Sequence, residues 1–148
     1  MAFEEKLDIT NFKNSANNFY KTLEHMSKVE KDIKNGDFAD DQDFLYGFYR
    51  AAMIQTFETT IESSWKIMQR WIKINADNKI HEKPKREMFR TAHQSGLISD
   101  PVQWWEFYEG RNKTAHTYHD ETAQEVYELV KTLKQPLQKF EKNLKERI

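Results

Sequence analysis

Along the middle of this chain apolar residues recur at steps of three and four. They run through Leu45, Phe48 and Ala52, then through Ile54, Phe57, Ile61, Trp65, Met68 and Ile72. That spacing returns each residue to one side of an α-helix, because the helix turns once per 3.6 residues. The pattern predicts a helix over 42–75, ~30 residues and on the order of 45 Å long, which is more than a typical globular helix and suits the spine of a bundle. The step of two between Ala52 and Ile54 implies slight bending there or two contact surfaces.

The rest of the chain reads in the same period. Phe12, Ala16, Phe19, Leu23 and Met26 form one stripe of a first helix over 11–33, with Thr10 as its N-cap and Asn35-Gly36 as its stop. The acidic residues Asp37, Asp40, Asp41 and Asp43 suit the start of the second helix, where the helix dipole favours negative charge. Residues 76–83 read as a loop. Pro84 then opens a third helix that runs to Gln94 and stops at Ser95-Gly96. Ser99-Asp100-Pro101 supplies a cap and a proline for a fourth helix, to about Thr114. A fifth helix begins after His119-Asp120 and carries Val126, Leu129, Val130, Leu133, Leu137, Phe140 and Leu144, and Pro136 should kink or split it. No internal repeat, low-complexity segment or useful strand-period run interrupts this. The expected fold is all-α, an antiparallel up-and-down bundle of four long helices plus a short one, with residues 1–148 as a single domain.

Composition narrows the function classes. At 148 residues the chain can bury roughly 70% of the surface its unfolded form exposes. It has no cysteine, which removes disulfides, thiolate metal sites and cysteine nucleophiles and suits a reducing cytoplasm. Lys+Arg 23 against Asp+Glu 24 gives a net charge of −1, so any nucleic-acid contact must come from a local patch. The first ten residues lack the pattern of a signal peptide, the mean hydropathy is −0.92, and no stretch approaches the ~20 apolar residues of a membrane span. Expected, then, is a cytoplasmic protein without a membrane partner. His116 and His119 lie three apart, but no His-Glu-x-x-His pattern, Gly-rich phosphate loop or paired-Asp nucleotidyltransferase pattern is present. No metal and no cofactor are expected.

The segment with the most chemistry is Arg111-Asn112-Lys113-Thr114-Ala115-His116-Thr117-Tyr118. At helical spacing Asn112 and His116 would share a face. Arginine offers a planar fork of donors that fits a phosphate, and histidine titrates near neutrality and can move a proton. Together they suit phosphodiester chemistry without a metal. The plainer alternative also stands: Arg111 pairing with Glu106 or Glu109, and His116 capping a helix C-terminus.

This segment resembles the R-x4-H-x-Y motif of HepT-like proteins in the HEPN superfamily. The stretches FETTIESSWKIMQRWI (57–72), REMFRTAHQSGLISDPVQWWEFYEGRN (86–112) and AHTYHDETAQEVY (115–127) resemble the nucleotidyltransferase substrate-binding proteins of that superfamily. The resemblance implies a HEPN-like helical bundle that forms a homodimer and binds a minimal nucleotidyltransferase encoded nearby. It implies a toxin with metal-independent RNase activity, in which Arg111 binds the phosphate, His116 is the acid–base residue and Asn112 supports it. Tyr118 would be the switch, silenced by adenylylation from the nucleotidyltransferase antitoxin. The alternative within the same family is a non-catalytic substrate-binding subunit, an adaptor that presents substrate to the nucleotidyltransferase.

Other residues carry weaker signals. Trp104 and Tyr108, four apart, can stack on a base and Lys113 can contact a phosphate, although aromatics at helical spacing more often pack a core or a dimer interface. Lys83, Arg86 and Arg90 share one face of the third helix, and Lys66, Arg70 and Lys73 one face of the second. Each reads as an RNA-backbone stripe or as a solvated face. The lysines near the C-terminus are already accounted for by the helix dipole.

Overall fold

A computed structural model describes residues 7–36 and 41–148; Asp37 and Asp40 of the acidic stretch lie outside the described residues. Among them are six α-helices: α1 Thr10–Lys34, α2 Gln42–Asn75, α3 Lys85–Gln94, α4 Pro101–Asn112, α5 Asp120–Val130 and α6 Lys134–Lys145. Two short 3-10 turns complete them, at Ile80–Glu82 and Lys113–His116. The all-α bundle is as expected. No described helix is long and apolar enough to cross a membrane.

The helix ends follow from local chemistry. α1 starts one residue earlier than expected: Thr10 is its first residue rather than its cap, and its N–H donates to Asp8 Oδ1 at 2.9 Å. Past its last residue, Lys34, α1 is stopped by Gly36, where φ is 85° and the Gly36 N–H donates to the Ile33 carbonyl. α3 begins after Pro84, which is itself the N-cap with an extended ψ of 150°. α3 stops in a Schellman turn: Gly96 takes φ 81° and donates to His93, while Leu97 donates to Ala92 and buries its side chain. Asp100 caps α4 by accepting from the N–H groups of Val102 and Gln103 at 3.0 and 3.1 Å. The expected loop at 76–83 contains a 3-10 turn, anchored by Ile80, its one fully buried apolar residue.

Pro136 splits the fifth helix. Its ring would collide with the carbonyl of Thr132, four residues back, so the chain tightens into 3-10 bonds from Thr132 to Leu129 and from Leu133 to Val130. It restarts as α6 with Pro136 in the first turn, where a missing N–H costs little. The bundle thus has two long helices and four of 10 to 12 residues, rather than four long helices and a short one.

The core forms where the stripes meet. Phe12, Phe19 and Met26 of α1 lie along Phe57, Ile61 and Met68 of α2, and the Thr60 hydroxyl of α2 reaches the Ser15 carbonyl of α1 at 3.3 Å. Phe140 of α6 meets Phe12 at 5.1 Å and Trp104 at 5.6 Å between centroids, joining α1, α4 and α6. Burying each such ring contributes about 1.5–3 kcal/mol.

The stripe expected along α2 holds only for its second half. Phe48 is 62% exposed and Leu45 and Ala52 are half-buried, whereas Met53 through Ile72 supply the buried positions. α5 meets the first half of α2 on the side of Tyr46 and Arg50, which bond Gln124 and Asp120. Phe48 lies two residues from each, nearly opposite on a helix of 3.6 residues per turn, so it faces away.

Candidate functional site

The motif is placed by α4. Trp104 and Phe107 fix this helix in the core, and Gly110 lets it approach α5: a Cβ there would lie 2.3 Å from Leu129 Cδ2. The next residue is Arg111. Its Nε donates to Glu62 Oε2 at 3.0 Å, and its Nη2 lies 3.6 Å from Glu58 Oε1. The Thr114 hydroxyl lies 2.9 Å from Glu58 Oε2 and 2.7 Å from the Arg111 carbonyl, so its one proton is shared between them. Glu62 Oε2 also accepts from the Trp65 indole at 3.1 Å, and Lys66 stands 3.3 Å from Glu62 Oε1. Partial burial works against the Glu62 carboxylate. Hydrogen bonds from Trp65, Lys66 and Arg111, with the charge of Arg111, outweigh it and hold the Glu62 pKa below the ordinary 4.5.

Arg111 therefore pairs with two acids of α2, not with Glu106 or Glu109 of its own helix. Glu58, Glu62 and Thr114 were missed in the sequence. The available signal was two acids four apart, on a helix whose next positions on that side, Phe57 and Ile61, are core. Arg111, Glu58, Glu62 and Lys66 edge a groove of about 640 Å³ between α1 and α2.

Past Asn112 the α-helix tightens into the 3-10 turn Lys113–His116. At three residues per turn, residues three apart line up, and residues four apart do not. So the pair that shares a face is Arg111 and Thr114, directed at Glu58, rather than Asn112 and His116. Asn112 and His116 are both exposed, and neither makes a hydrogen bond with its side chain among the described residues. Tyr118 is 77% exposed, its ring 4.2 Å from His119 and 6.4 Å from His116 between centroids. The end of α4, the turn and the residues just after it thus present an amide, an imidazole and a phenol to solvent, beside a guanidinium fixed from behind.

Of the weaker candidates, Trp104 is 1% exposed and packs edge-on against Phe107 and Phe140, which makes it a core residue with no ring face left for a base. Tyr108 is half-buried among Trp65, Phe89 and Trp105. Lys113 is exposed and bonds Glu125 at 2.9 Å.

Residues 7–146 match the family described as nucleotidyltransferase substrate binding protein like. The probable ribonuclease HepT of Haemophilus influenzae (strain ATCC 51907 / DSM 11121 / KW20 / Rd) is 39% identical over 80 residues, 52% of this chain and 54% of that protein. The match thus spans about half the length of that relative. A Haemophilus influenzae structure, described as the fold of a substrate binding domain of a nucleotidyltransferase, superposes with a TM-score of 0.70 at 26% identity, over 88% of this chain and 98% of that one. These matches bear out the resemblance to HepT-like proteins, and the chain belongs to the nucleotidyltransferase substrate binding protein like family.

Proposed function

We propose that two copies of this chain form a metal-independent endoribonuclease, a toxin held in check by a minimal nucleotidyltransferase antitoxin encoded nearby. The observation that carries this reading is the division of the motif into a fixed Arg111 and an exposed turn with Asn112, His116 and Tyr118. In this reading Arg111 meets the scissile phosphate and stabilises the charge that builds on it. His116 of one copy takes the proton of the ribose 2′-hydroxyl, whose oxygen attacks phosphorus. His116 of the other copy protonates the departing 5′-oxygen. The O2′–P bond forms and the P–O5′ bond breaks, leaving a 2′,3′-cyclic phosphate and a 5′-hydroxyl. Asn112 orients the imidazole or the phosphate. Glu58 and Glu62 position Arg111 without touching substrate.

Exposed rings on the first half of α2 support the dimer. Phe44 is 73% and Phe48 62% exposed, four apart on α2. Arg50, two residues beyond Phe48, pairs with Asp120, two residues beyond Tyr118, at 2.8 Å. Phe44 and Phe48 lie on the side of α2 opposite Arg50, away from α5, and a second copy can cover that apolar face. The exposed phenol of Tyr118 suits modification: its oxygen attacks the α-phosphate of ATP, pyrophosphate leaves, and the AMP group blocks RNA beside Arg111 and His116. This reading places the pair in the cytoplasm, with the whole chain as one domain.

A second reading is favoured by one observation. Two carboxylates already engage Arg111, which leaves it less free to capture an anion than an unpaired arginine. In that reading the chain is a non-catalytic substrate-binding subunit of the nucleotidyltransferase. Expression in cells with and without the neighbouring nucleotidyltransferase, followed by intact mass, decides between them. The toxin reading expects growth arrest without the partner and none with His116→Ala. With the partner it expects a mass gain of one or more AMP groups, lost in Tyr118→Phe. Harmless wild type and an unmodified mass in a stable complex select the adaptor.

A further inference from the structure

Outside the motif, the face where α3 meets α4 combines cations and aromatic rings. The Lys85 ammonium lies 3.9 Å from the Trp65 ring centroid, and the Arg86 guanidinium 4.8 Å from that of Trp105. Arg86 and Arg90, one turn apart on α3, edge a cavity of about 240 Å³ with Pro101, Val102 and Trp105. Neither arginine, nor Lys85, has a carboxylate within ion-pair distance among the described residues. The nearby acids are engaged elsewhere: Glu87 faces Lys83 at 3.8 Å, and Glu62 holds Arg111 and Lys66. Lys83, the third member of the stripe in the sequence, is spent on Asp77 at 2.7 Å. The buried Trp105 indole N–H has no hydrogen-bond partner.

This face is continuous with the motif. Trp105 and Tyr108 rings lie 5.4 Å apart, Tyr108 and Trp65 rings 6.4 Å apart, and the Trp65 indole donates to the same Glu62 oxygen that accepts from Arg111. We propose that this face is a track for single-stranded RNA leading to Arg111, with Lys85, Arg86 and Arg90 taking backbone phosphates and Trp105 offering a ring face to a base. The proposal deepens the RNA-cleavage reading and rests on it for the end of the track at Arg111.

The chemistry favours a flexible polyanion. Unpaired cations bind phosphates by releasing counterions, and aromatic faces stack on bases without regard to sequence. Burial over Trp65 pulls the Lys85 pKa down, and only partly does the charge of Glu62 restore it, so an arriving phosphate gains a cation that lacks a contacting counter-charge. A chain with net charge −1 also needs such a local patch if it is to hold RNA at all.

The test uses the full chain carrying His116→Ala, so that binding is read without cleavage. A fluorescein-labelled single-stranded RNA of about a dozen nucleotides is titrated by anisotropy over a salt series. Adding Lys85→Gln, Arg86→Gln and Arg90→Gln together is expected to weaken binding roughly tenfold or more and to lower the salt slope by about 2, at ~0.7 per lost contact. Arg90→Gln alone, which removes no cation–π contact among the described residues, lowers the slope by about 0.7 and serves if the triple variant melts early. Unchanged affinity and slope overturn the track, and so does retained RNA binding with lost capture of the nucleotidyltransferase, which makes the face a protein surface. If the triple variant still binds and the chain with His116 intact cleaves, the track fails and the cleavage reading stands. If binding is lost in the triple variant but the chain with His116 intact never cleaves, the track stands and the cleavage reading fails.

Discussion

The two ends of the motif live in different surroundings. Arg111 and Thr114 are turned inward, to Glu58 and Glu62 on a helix whose second half is core. Asn112 at the end of α4, His116 at the end of the 3-10 turn and Tyr118 just beyond it are exposed. A continuous α-helix would have set Asn112 over His116, and the tighter turn sets Arg111 over Thr114 instead. The difference teaches where rigidity is built: the charge that must not move is anchored by long-range contacts, and the groups that must meet a partner are left at the surface.

If the inward end is the floor of the site, damage beneath it should be costly in stability. Phe57→Ala, which empties a fully buried position under α4, is expected to destabilise the fold by about 3–5 kcal/mol, read from denaturant unfolding. A loss below 1 kcal/mol would mean that α2 and α4 do not pack as described.

Gly110→Val is expected to cost about 1–3 kcal/mol, because the first added carbon alone would lie 2.3 Å from Leu129 Cδ2 and already touch Phe57 at 3.6 Å. An unchanged melting temperature would show that α4 has room to shift, and with it Arg111.

A smaller effect is expected at the ion pairs, since Arg111, Glu58 and Glu62 side chains are about a quarter to a third exposed. Arg111→Ala should destabilise by about 1 kcal/mol, mostly by leaving two acids facing each other. The pH dependence sharpens this. Because the folded-state pKa of Glu62 is depressed, its contribution is fully present above the ordinary 4.5 and is lost as pH falls below it. Melting curves between pH 3 and 7, ranges set by that ordinary carboxylate value, should show a shallower acid-side fall for Glu62→Gln than for wild type. Equal slopes would remove Glu62 from the account.

On the uncovered face of α2, Phe48→Ser should change stability by less than about 0.5 kcal/mol, because the ring is largely in solvent. It should nevertheless shift light scattering toward the monomer. An unchanged dimer would place the interface elsewhere.

Much of this was legible in the sequence. The bounds of α2 follow from its apolar period, those of α3 from Pro84 and Gly96, and the start of α4 from Asp100-Pro101, while α4 ends at Asn112, short of the expected Thr114. The split at Pro136 follows from its missing N–H and its ring. The outward residues of the motif could be named because the segment resembles the R-x4-H-x-Y pattern, whose residues are close in the chain. The inward partners could not: Glu58 and Glu62 lie more than 40 residues before Arg111, and no local rule selects them over Glu106 and Glu109. The exposure of Phe44 and Phe48 was hidden for a like reason, since period alone says which residues share a side and not which side another helix covers.

The most direct test of the central claim is cleavage of RNA by the purified chain in buffer with EDTA, wild type beside His116→Ala. The account expects wild type to leave 2′,3′-cyclic phosphate ends, and His116→Ala to lose about 10²–10⁴-fold in rate while melting within a degree or so of wild type. No cleavage by wild type, or equal cleavage by both, would contradict it.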